Sequence, residues 1–237
     1  LRDGMYPYTY AQWNIRGVGI DNIYQDQYFY YDPYRQNPKF RGVGDLLLAG
    51  AKEIIDRHPT YDVRAYIRYV QMLQSMARDD ASYYANAEPF IRTALSLSPT
   101  RQELYYLLAF TLVGQDKNDE AVDVARRAVA LDPRVARAHF HLGLMLDAAG
   151  KVPEAKAELA ETERLAPTFR TLLDADFRTL GLIYAGWGDN EHLVTLALKS
   201  ARGEVPRLRE ETYTAALASV RNREDAPNFI AIARFMK

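Results

Sequence analysis

Residues 102–135 decide the fold, and they read QELYYLLAFTLVGQDKNDEAVDVARRAVALDPRV. Apolar residues recur in the first half at spacings of three and four, which is typical of one face of an amphipathic helix: Tyr105, Leu108, Ala109 and Leu112. A second helix is indicated from the small Ala121 to Pro133, whose ring cannot continue it. Thr100 and Glu103 have the spacing of a capping box at the start of the first helix. The stretch therefore predicts two antiparallel helices joined by a short turn.

The same pattern recurs every 34 residues. Two residue types mark the interval: Pro99, Pro133 and Pro167, and Ala87, Ala121 and Ala155. Residues 136–169 repeat the first-helix pattern with His139, Leu142, Gly143 and Leu146. A fixed period of this length indicates stacked supersecondary units. In these residues the chain resembles the tetratricopeptide-repeat (TPR) family.

The resemblance implies an all-α fold, a right-handed α-solenoid of antiparallel helix pairs, preceded by an irregular Tyr-rich N-terminal extension. We expect the extension at 1–41, a leading helix and linker at 42–62, and the solenoid at 63–237. Its repeats are expected at about 63–101, 102–135, 136–169, 174–207 and 208–237. The first of these matches the family only with extra residues in the loop around 79–86.

The resemblance also implies a partner-binding groove on the concave side of the first helices. The residues at the groove positions are Glu103, Tyr106, Phe110, Val113, Arg137, Phe140, Leu144, Asp147, Arg178 and Leu182. Their apolar members form a strip that suits a helix or an extended segment rather than the carboxylate of a chaperone tail. Residues 1–41 of the same chain are the alternative occupant.

The extension and the last helix are the candidate regions for assembly. Eight of the chain's 17 tyrosines lie in residues 1–41, too many aromatic residues for a solvated linker. The extension either covers the repeats of its own chain or docks on a neighbour. The last helix is apolar where a solenoid needs a polar cap, so we expect that more chain follows or that a subunit stacks there. The candidate assembly contacts are Tyr28, Tyr30, Tyr31, Phe229, Ile232 and Phe235.

Composition argues against several classes of site. The chain has no cysteine for thiolate or zinc–cysteine chemistry, and its net charge of −1, with acidic and basic residues interleaved, argues against a basic face for nucleic acid. No apolar run approaches the roughly 20 residues that span a bilayer. His139 and His141 lie two apart on a helix, so they point in different directions and do not share a metal. We therefore expect no enzyme active site, no cofactor or metal, no nucleic-acid partner and no membrane insertion in this region.

The sequence thus favours a non-catalytic protein–protein interaction scaffold, whose partner is a peptide, a helix or a neighbouring subunit, homo-oligomers included. Two alternatives stay open. One is a periplasmic TPR tail of a bacterial membrane enzyme of surface-polysaccharide assembly, similar to O-antigen ligases or polymerases. The other is a self-assembling structural subunit of a filament or ring. Residue 1 is Leu, which indicates a processed chain or a piece of a longer one. An extracytoplasmic location is favoured over a cytoplasmic one, and the partner stays open.

Overall fold

The computed structural model describes residues 42–60, 62–165, 174–219 and 226–236. These residues form eleven helices and no strand: α1 Val43–Arg57, α2 Val63–Met76, α3 Ser82–Leu97, α4 Gln102–Val113, α5 Asn118–Leu131, α6 Ala136–Ala148, α7 Val152–Leu165, α8 Asp174–Trp187, α9 Asn190–Ala201, α10 Glu210–Ser219 and α11 Ala226–Phe235. The expectation of an all-α fold is confirmed. The extension at 1–41 lies outside the described residues.

The helices follow the repeat pattern along the chain. Each of the five predicted repeat ranges contains two of the helices α2–α11, and α1 lies in the range 42–62. The loop expected around 79–86 is shorter than that range, because α3 already begins at Ser82. The capping box expected at Thr100 is absent. The N-cap of α4 is Arg101 without a side-chain cap bond, and Glu103 pairs with Arg101 at 2.9 Å.

The core is made of the apolar stripes that the spacing predicts, with small residues where helices cross. α4 packs on α5, and Ala109, Leu112 and Ala121 are fully buried there. In the preceding pair, α2 packs on α3, and the ring of Tyr69 meets that of Phe90 edge-on at 4.8 Å. Alanine at the crossing lets the two backbones approach closely, so the larger residues beside it can interdigitate.

The chain divides into two compact units. The first contains the described residues through Pro133 together with Ala138–Glu158, and the second contains Arg134–Arg137 and the described residues from Leu159 onward. In the second unit a buried tyrosine joins two helices. The hydroxyl of Tyr213 accepts a hydrogen bond from the Leu208 backbone N–H at 2.9 Å and donates to Ser200 Oγ at 2.7 Å. Ser200 Oγ in turn donates to the carbonyl of Pro206 at 2.8 Å.

Candidate functional site

The candidate binding face centres on α4, which carries apolar side chains on more than one side. Leu104, Leu108 and Leu112 face the interior and are buried. Phe110 lies on the same helix, yet 47% of its surface is exposed. A helix that carries apolar residues outside its buried stripe has a second apolar face, and exposing that face to water is unfavourable. Phe110 is therefore the residue from which the site is built.

The position of Phe110 is fixed by its contact with α3. Its ring meets that of Tyr84 edge-on, with 6.0 Å between centroids. Tyr84 lies against Gly114, where an added Cβ would overlap the tyrosine ring. The Gln115 amide donates to the Glu88 carboxylate at 2.9 Å, which joins the turn after α4 to α3. Phe110 is thus exposed but held in place.

Two other aromatic residues at groove positions are not exposed. The sequence predicts Tyr106 and Phe140 on the same apolar strip as Phe110, but they are only 8% and 1% exposed. The rings of Tyr106 and His141 stack at 4.3 Å, and Phe140 meets His141 edge-on at 5.6 Å. Their aromatic surface is used within the protein, so the strip expected to be open to a partner is interrupted at these two residues.

The other groove positions of the first unit are half-buried. They are Glu103, Val113, Leu144 and Asp147. Leu144 and Val113 add aliphatic surface at these positions, whereas Glu103 is engaged by Arg101. The two polar residues at these positions, Glu103 and Asp147, are both acidic.

Three predicted groove residues lie in the second unit. The Arg137 guanidinium faces the buried carboxylate of Asp176, with 3.5 Å between Nε and Oδ2. Arg178 is exposed, and Leu182 is 38% exposed. Sequence reasoning missed Asp176, although it stands directly before Phe177, the first residue of the α8 repeat pattern.

The predicted assembly contacts at the last helix are largely used inside the chain. Ile232 is fully buried. The ring of Phe235 lies 5.5 Å from that of Tyr213, and the Arg207 guanidinium lies 5.5 Å from the same ring. Ile232 and half-buried Phe235 therefore take part in the packing of α11 within the second unit, and their role in assembly stays a prediction. The Phe229 side chain and Tyr28, Tyr30 and Tyr31 lie outside the described residues.

A ladder of ion pairs joins the second helices of successive repeats. Arg92 of α3 pairs with Glu120 of α5 at 2.7 Å, and Arg126 of α5 pairs with Glu154 of α7 at 3.1 Å. The arginine and the glutamate of the first pair each recur 34 residues later in the second pair, so the ion pairs follow the same period as the apolar core. It was missed because charged residues on a helix surface are ordinarily solvated. Exposed pairs of this kind contribute little to stability individually.

Glu88 is the most strongly bonded carboxylate beside this ladder. Burial raises its pKa, but hydrogen bonds from Gln115, Arg92 and Lys117 outweigh burial and lower the pKa to about 2. In the second unit, burial raises the pKa of Tyr184, and the Glu163 carboxylate that accepts its hydroxyl hydrogen bond at 2.7 Å raises it further. Both groups bind helices to one another rather than facing an open site.

The described part of the chain contains no cluster of metal ligands and no membrane-spanning helix. Within it, no three His, Asp or Glu side chains are grouped so that they could hold a metal ion. None of its helices is both long and apolar enough to span a bilayer. An open cavity of about 520 Å³ lies beside the α4–α5 turn and the end of α6. Two of its charged lining residues, Lys117 and Asp119, are already paired with Glu88 and Lys151.

Comparison with known proteins identifies the repeat. The model of the tetratricopeptide repeat family matches residues 102–135. PilW, described as a widely conserved type IV pilus biogenesis factor, has a similar structure with a TM-score of 0.59 and 17% identity, over 91% of this chain and 90% of PilW. TTC0263, a thermophilic TPR protein in Thermus thermophilus, has a TM-score of 0.52 and 17% identity, over 90% of this chain and 98% of its own. The sequence matches no curated protein.

These likenesses establish the fold alone, because sequence identities this low carry no information on partners or activity. The helix pairs, the small residues at their crossings and the family match at the centre all agree. Residues 102–135 are a tetratricopeptide repeat, and the chain has the α-solenoid fold of tetratricopeptide-repeat proteins.

Proposed function

We propose that this protein is an interaction scaffold that binds an apolar peptide segment or helix of a partner protein at the groove positions around Phe110. The main observation behind this proposal is that the Phe110 side chain is exposed and yet packed against a neighbouring ring. A phenylalanine that is 47% exposed and packed against a neighbouring ring offers aromatic surface at a fixed place. Side chains of this kind supply much of the affinity at protein interfaces.

The platform under Phe110 is organised before any partner arrives. The Gln74 amide of α2 donates to the carbonyl of Leu107 at 3.0 Å and to Thr111 Oγ1 at 2.8 Å, which ties α2 to α4. Gln102 Nε2 at the start of α4 donates to the carbonyl of Ala128 of α5 at 2.9 Å. A prearranged surface spends little conformational entropy on binding, and this favours recognition of short segments.

The N-terminal extension and a neighbouring copy are further components of this proposal. The extension supplies a second contact region, and a neighbouring subunit is one form that the partner takes. The mass of the protein in solution, with and without residues 1–41, distinguishes these forms. An oligomer that becomes a monomer on deletion supports contact with a neighbour, whereas a monomer in both forms restricts the proposal to an external partner. The polysaccharide-enzyme tail and the filament subunit stay predictions of the sequence.

Selection from a phage-displayed library of random 12-residue peptides tests the proposal directly. The full chain, immobilised by one end, is expected to enrich peptides with two or more apolar residues. The enriched peptide should bind in solution and compete with others of its group for one site. Failure to enrich any peptide over the empty support, with or without residues 1–41, would overturn peptide recognition as the function.

A further inference from the structure

Three turns between the two helices of a repeat contain a residue in the left-handed conformation. Its φ is 60° at Asp116 in the α4–α5 turn, 72° at Gly150 in the α6–α7 turn and 64° at Gly188 in the α8–α9 turn. The residue after it donates its backbone N–H to the end of the first helix, as Lys117 does to the carbonyl of Leu112 at 2.9 Å. This bond closes the first helix and lets the chain reverse into the second.

Gly42 has the same conformation directly before α1. Its φ is 80°, and α1 begins at the next residue. In the repeats at 102–135 and 136–169, two buried residues follow the left-handed residue after five and nine positions, and a proline follows after seventeen. These residues are Ala121, Ala125 and Pro133 in one repeat, and Ala155, Leu159 and Pro167 in the other. Gly42 has the same register with Leu47, Ala51 and Pro59, so α1 stands where the second helix of a repeat stands.

The contact of α1 with α2 also matches the contact between successive repeats. α1 packs on α2, and the Tyr66 hydroxyl of α2 donates to the carbonyl of Pro59 at 2.8 Å. In the same way α3 packs on α4, and the Tyr105 hydroxyl of α4 donates to the carbonyl of Pro99 at 2.7 Å. α1 therefore precedes α2 as the second helix of one repeat precedes the first helix of the next.

A second helix also packs on the first helix of its own repeat. α3 packs on α2 in this way as well as on α4, and α5 packs on α4 with Ala121 buried between them. Leu47 of α1 takes the position of Ala121 and is only 4% exposed. The helices that the structure describes include no first helix before α1. The chain that ends at Gly42 is therefore in the place to cover this side of α1.

We propose that residues 28–61 are a further repeat, in which the Tyr-rich segment 28–41 packs on α1 in place of a first helix. The left-handed residue is the fifteenth of the 34 residues in the repeats at 102–135, 136–169 and 174–207, and the same count from Gly42 gives 28–61. This range ends directly before Asp62, the N-cap of α2. Residues 28–41 lie outside the described residues, and their contact with α1 closes the N-terminal end of the array. It needs no partner, so it is independent of the proposed binding function.

Two tyrosines of the segment stand where a complete repeat has large side chains. By register, Tyr31 and Tyr34 take the positions of Tyr105 and Leu108 on α4. Leu108 is 2% exposed, which shows that this position faces the interior of the repeat. An aromatic ring there provides the apolar surface that buries Leu47.

The segment does not have the sequence of a regular first helix. Pro33 and Pro38 would lie inside such a helix, where proline removes a hydrogen bond and its ring clashes with the preceding turn. Arg35 takes the position of Ala109, which is small and fully buried where α4 and α5 cross. The occupant of this side of α1 is therefore an irregular aromatic segment rather than a closely crossing helix.

Pairs of cysteines test the contact, because the chain has no cysteine of its own. In the full chain, Tyr34→Cys is combined with Leu47→Cys or with Ala51→Cys, both on the buried side of α1. The matched control combines Tyr34→Cys with Leu46→Cys, because Leu46 is adjacent to Leu47 but 60% exposed. A disulfide needs Cα atoms within about 7 Å, so a bridge reports direct contact. Mild oxidation should form a bridge within one chain in at least one buried pair and not in the control.

Each other outcome of the oxidation contradicts the proposal. A bridge between two chains in the buried pairs would mean that a neighbouring copy occupies this side of α1. A bridge that forms as readily in the control would mean that the segment has no fixed place. No bridge in any folded variant would mean that the segment does not contact α1.

Hydrogen exchange provides a test that leaves α1 itself unchanged. Replacing Tyr31 and Tyr34 together by alanine in the full chain should speed amide exchange in α1 by about tenfold or more and leave that in α4 unchanged, because local opening depends on local contacts. The control replaces Tyr8 and Tyr10, which precede the proposed repeat. Equal exchange in α1 for the natural chain and both double variants would overturn the further repeat, even where the cysteine variants fail to fold.

Discussion

Gly181 of α8 lies so close to Thr212 of α10 that a Cβ on the glycine would come within 2.7 Å of the threonine Cγ2. Both residues are buried in the second unit, and Thr212 is fully so. The sequence places a small residue here because Gly181 stands where the family pattern requires one. In the structure, the small residue lies where the first helices of two successive repeats, α8 and α10, cross.

Gly181→Ala should therefore destabilise the second unit. Overpacking at a tight crossing costs about 1–3 kcal/mol, and the higher helix propensity of alanine offsets less than about 1 kcal/mol of this. Gly186→Ala is the control on the same helix, because nothing lies within 4 Å of a Cβ added there. It should be neutral or slightly stabilising. Urea unfolding of the two variants measures the contrast, and equal stabilities would show that the crossing is not tight.

We expect the stability of the protein to decrease in acid as Glu88 becomes protonated. Its folded pKa of about 2 lies below the ordinary value of 4.5, so its contribution is present above about pH 4.5 and is lost as the pH falls towards 2. Glu88→Gln should cost about 1–2 kcal/mol at pH 7, because hydrogen bonds to a charged group are lost or weakened. The difference between natural protein and variant should shrink from pH 5 to pH 2, and a constant difference would refute the assignment.

The two tyrosine–proline bonds should differ in strength. Tyr66 is almost fully buried and bonds the Pro59 carbonyl, whereas Tyr105 is only half-buried where it bonds that of Pro99. Tyr66→Phe should cost about 1–1.5 kcal/mol and Tyr105→Phe about 0.5 kcal/mol, because water replaces the lost donor more easily at the second site. Thermal unfolding measures both, and a reversed order would contradict this use of burial.

Phe140→Ala is expected to report on stability rather than binding. The side chain is 1% exposed and packs against His141, so its removal leaves a cavity and should cost about 3–5 kcal/mol. Denaturant unfolding of the full chain measures this loss. A loss below about 1 kcal/mol would mean that the ring is not part of the core.

The fold could be predicted from the sequence because the residues that determine it recur at a fixed period. The 34-residue spacing of Pro99 and Pro133 and of Ala87 and Ala121 reports helix ends and crossings, and these recur in every complete repeat. Helix starts were predicted less well, since an N-cap depends on local hydrogen bonds that alternative residues can satisfy. The Arg101–Glu103 pair took the place of the expected capping box at Thr100.

The candidate site could be predicted only in part. The spacing places Phe110, Tyr106 and Phe140 at groove positions, but it does not say which rings pack on one another. His141, which lies between the groove positions of α6, decides this by stacking on Tyr106. In the same way the apolar residues of α11 indicate a buried face without saying whether Tyr213 or another subunit covers it. Burial of a particular ring is a property of tertiary packing, which the period does not contain.

Affinity at Phe110 tests the central claim most directly. The measurement is fluorescence anisotropy of a labelled peptide from the library selection, titrated with the natural chain, Phe110→Ala and Leu131→Ala. Leu131 is the control, because it is also a large apolar residue, 39% exposed, but lies at the end of a second helix. We predict that Phe110→Ala weakens binding by about 30-fold or more, as for an interface hot spot, with the fold intact by circular dichroism. Leu131→Ala should bind as the natural chain does. Unchanged affinity in a folded Phe110→Ala variant, or equal losses in both variants, would contradict the account.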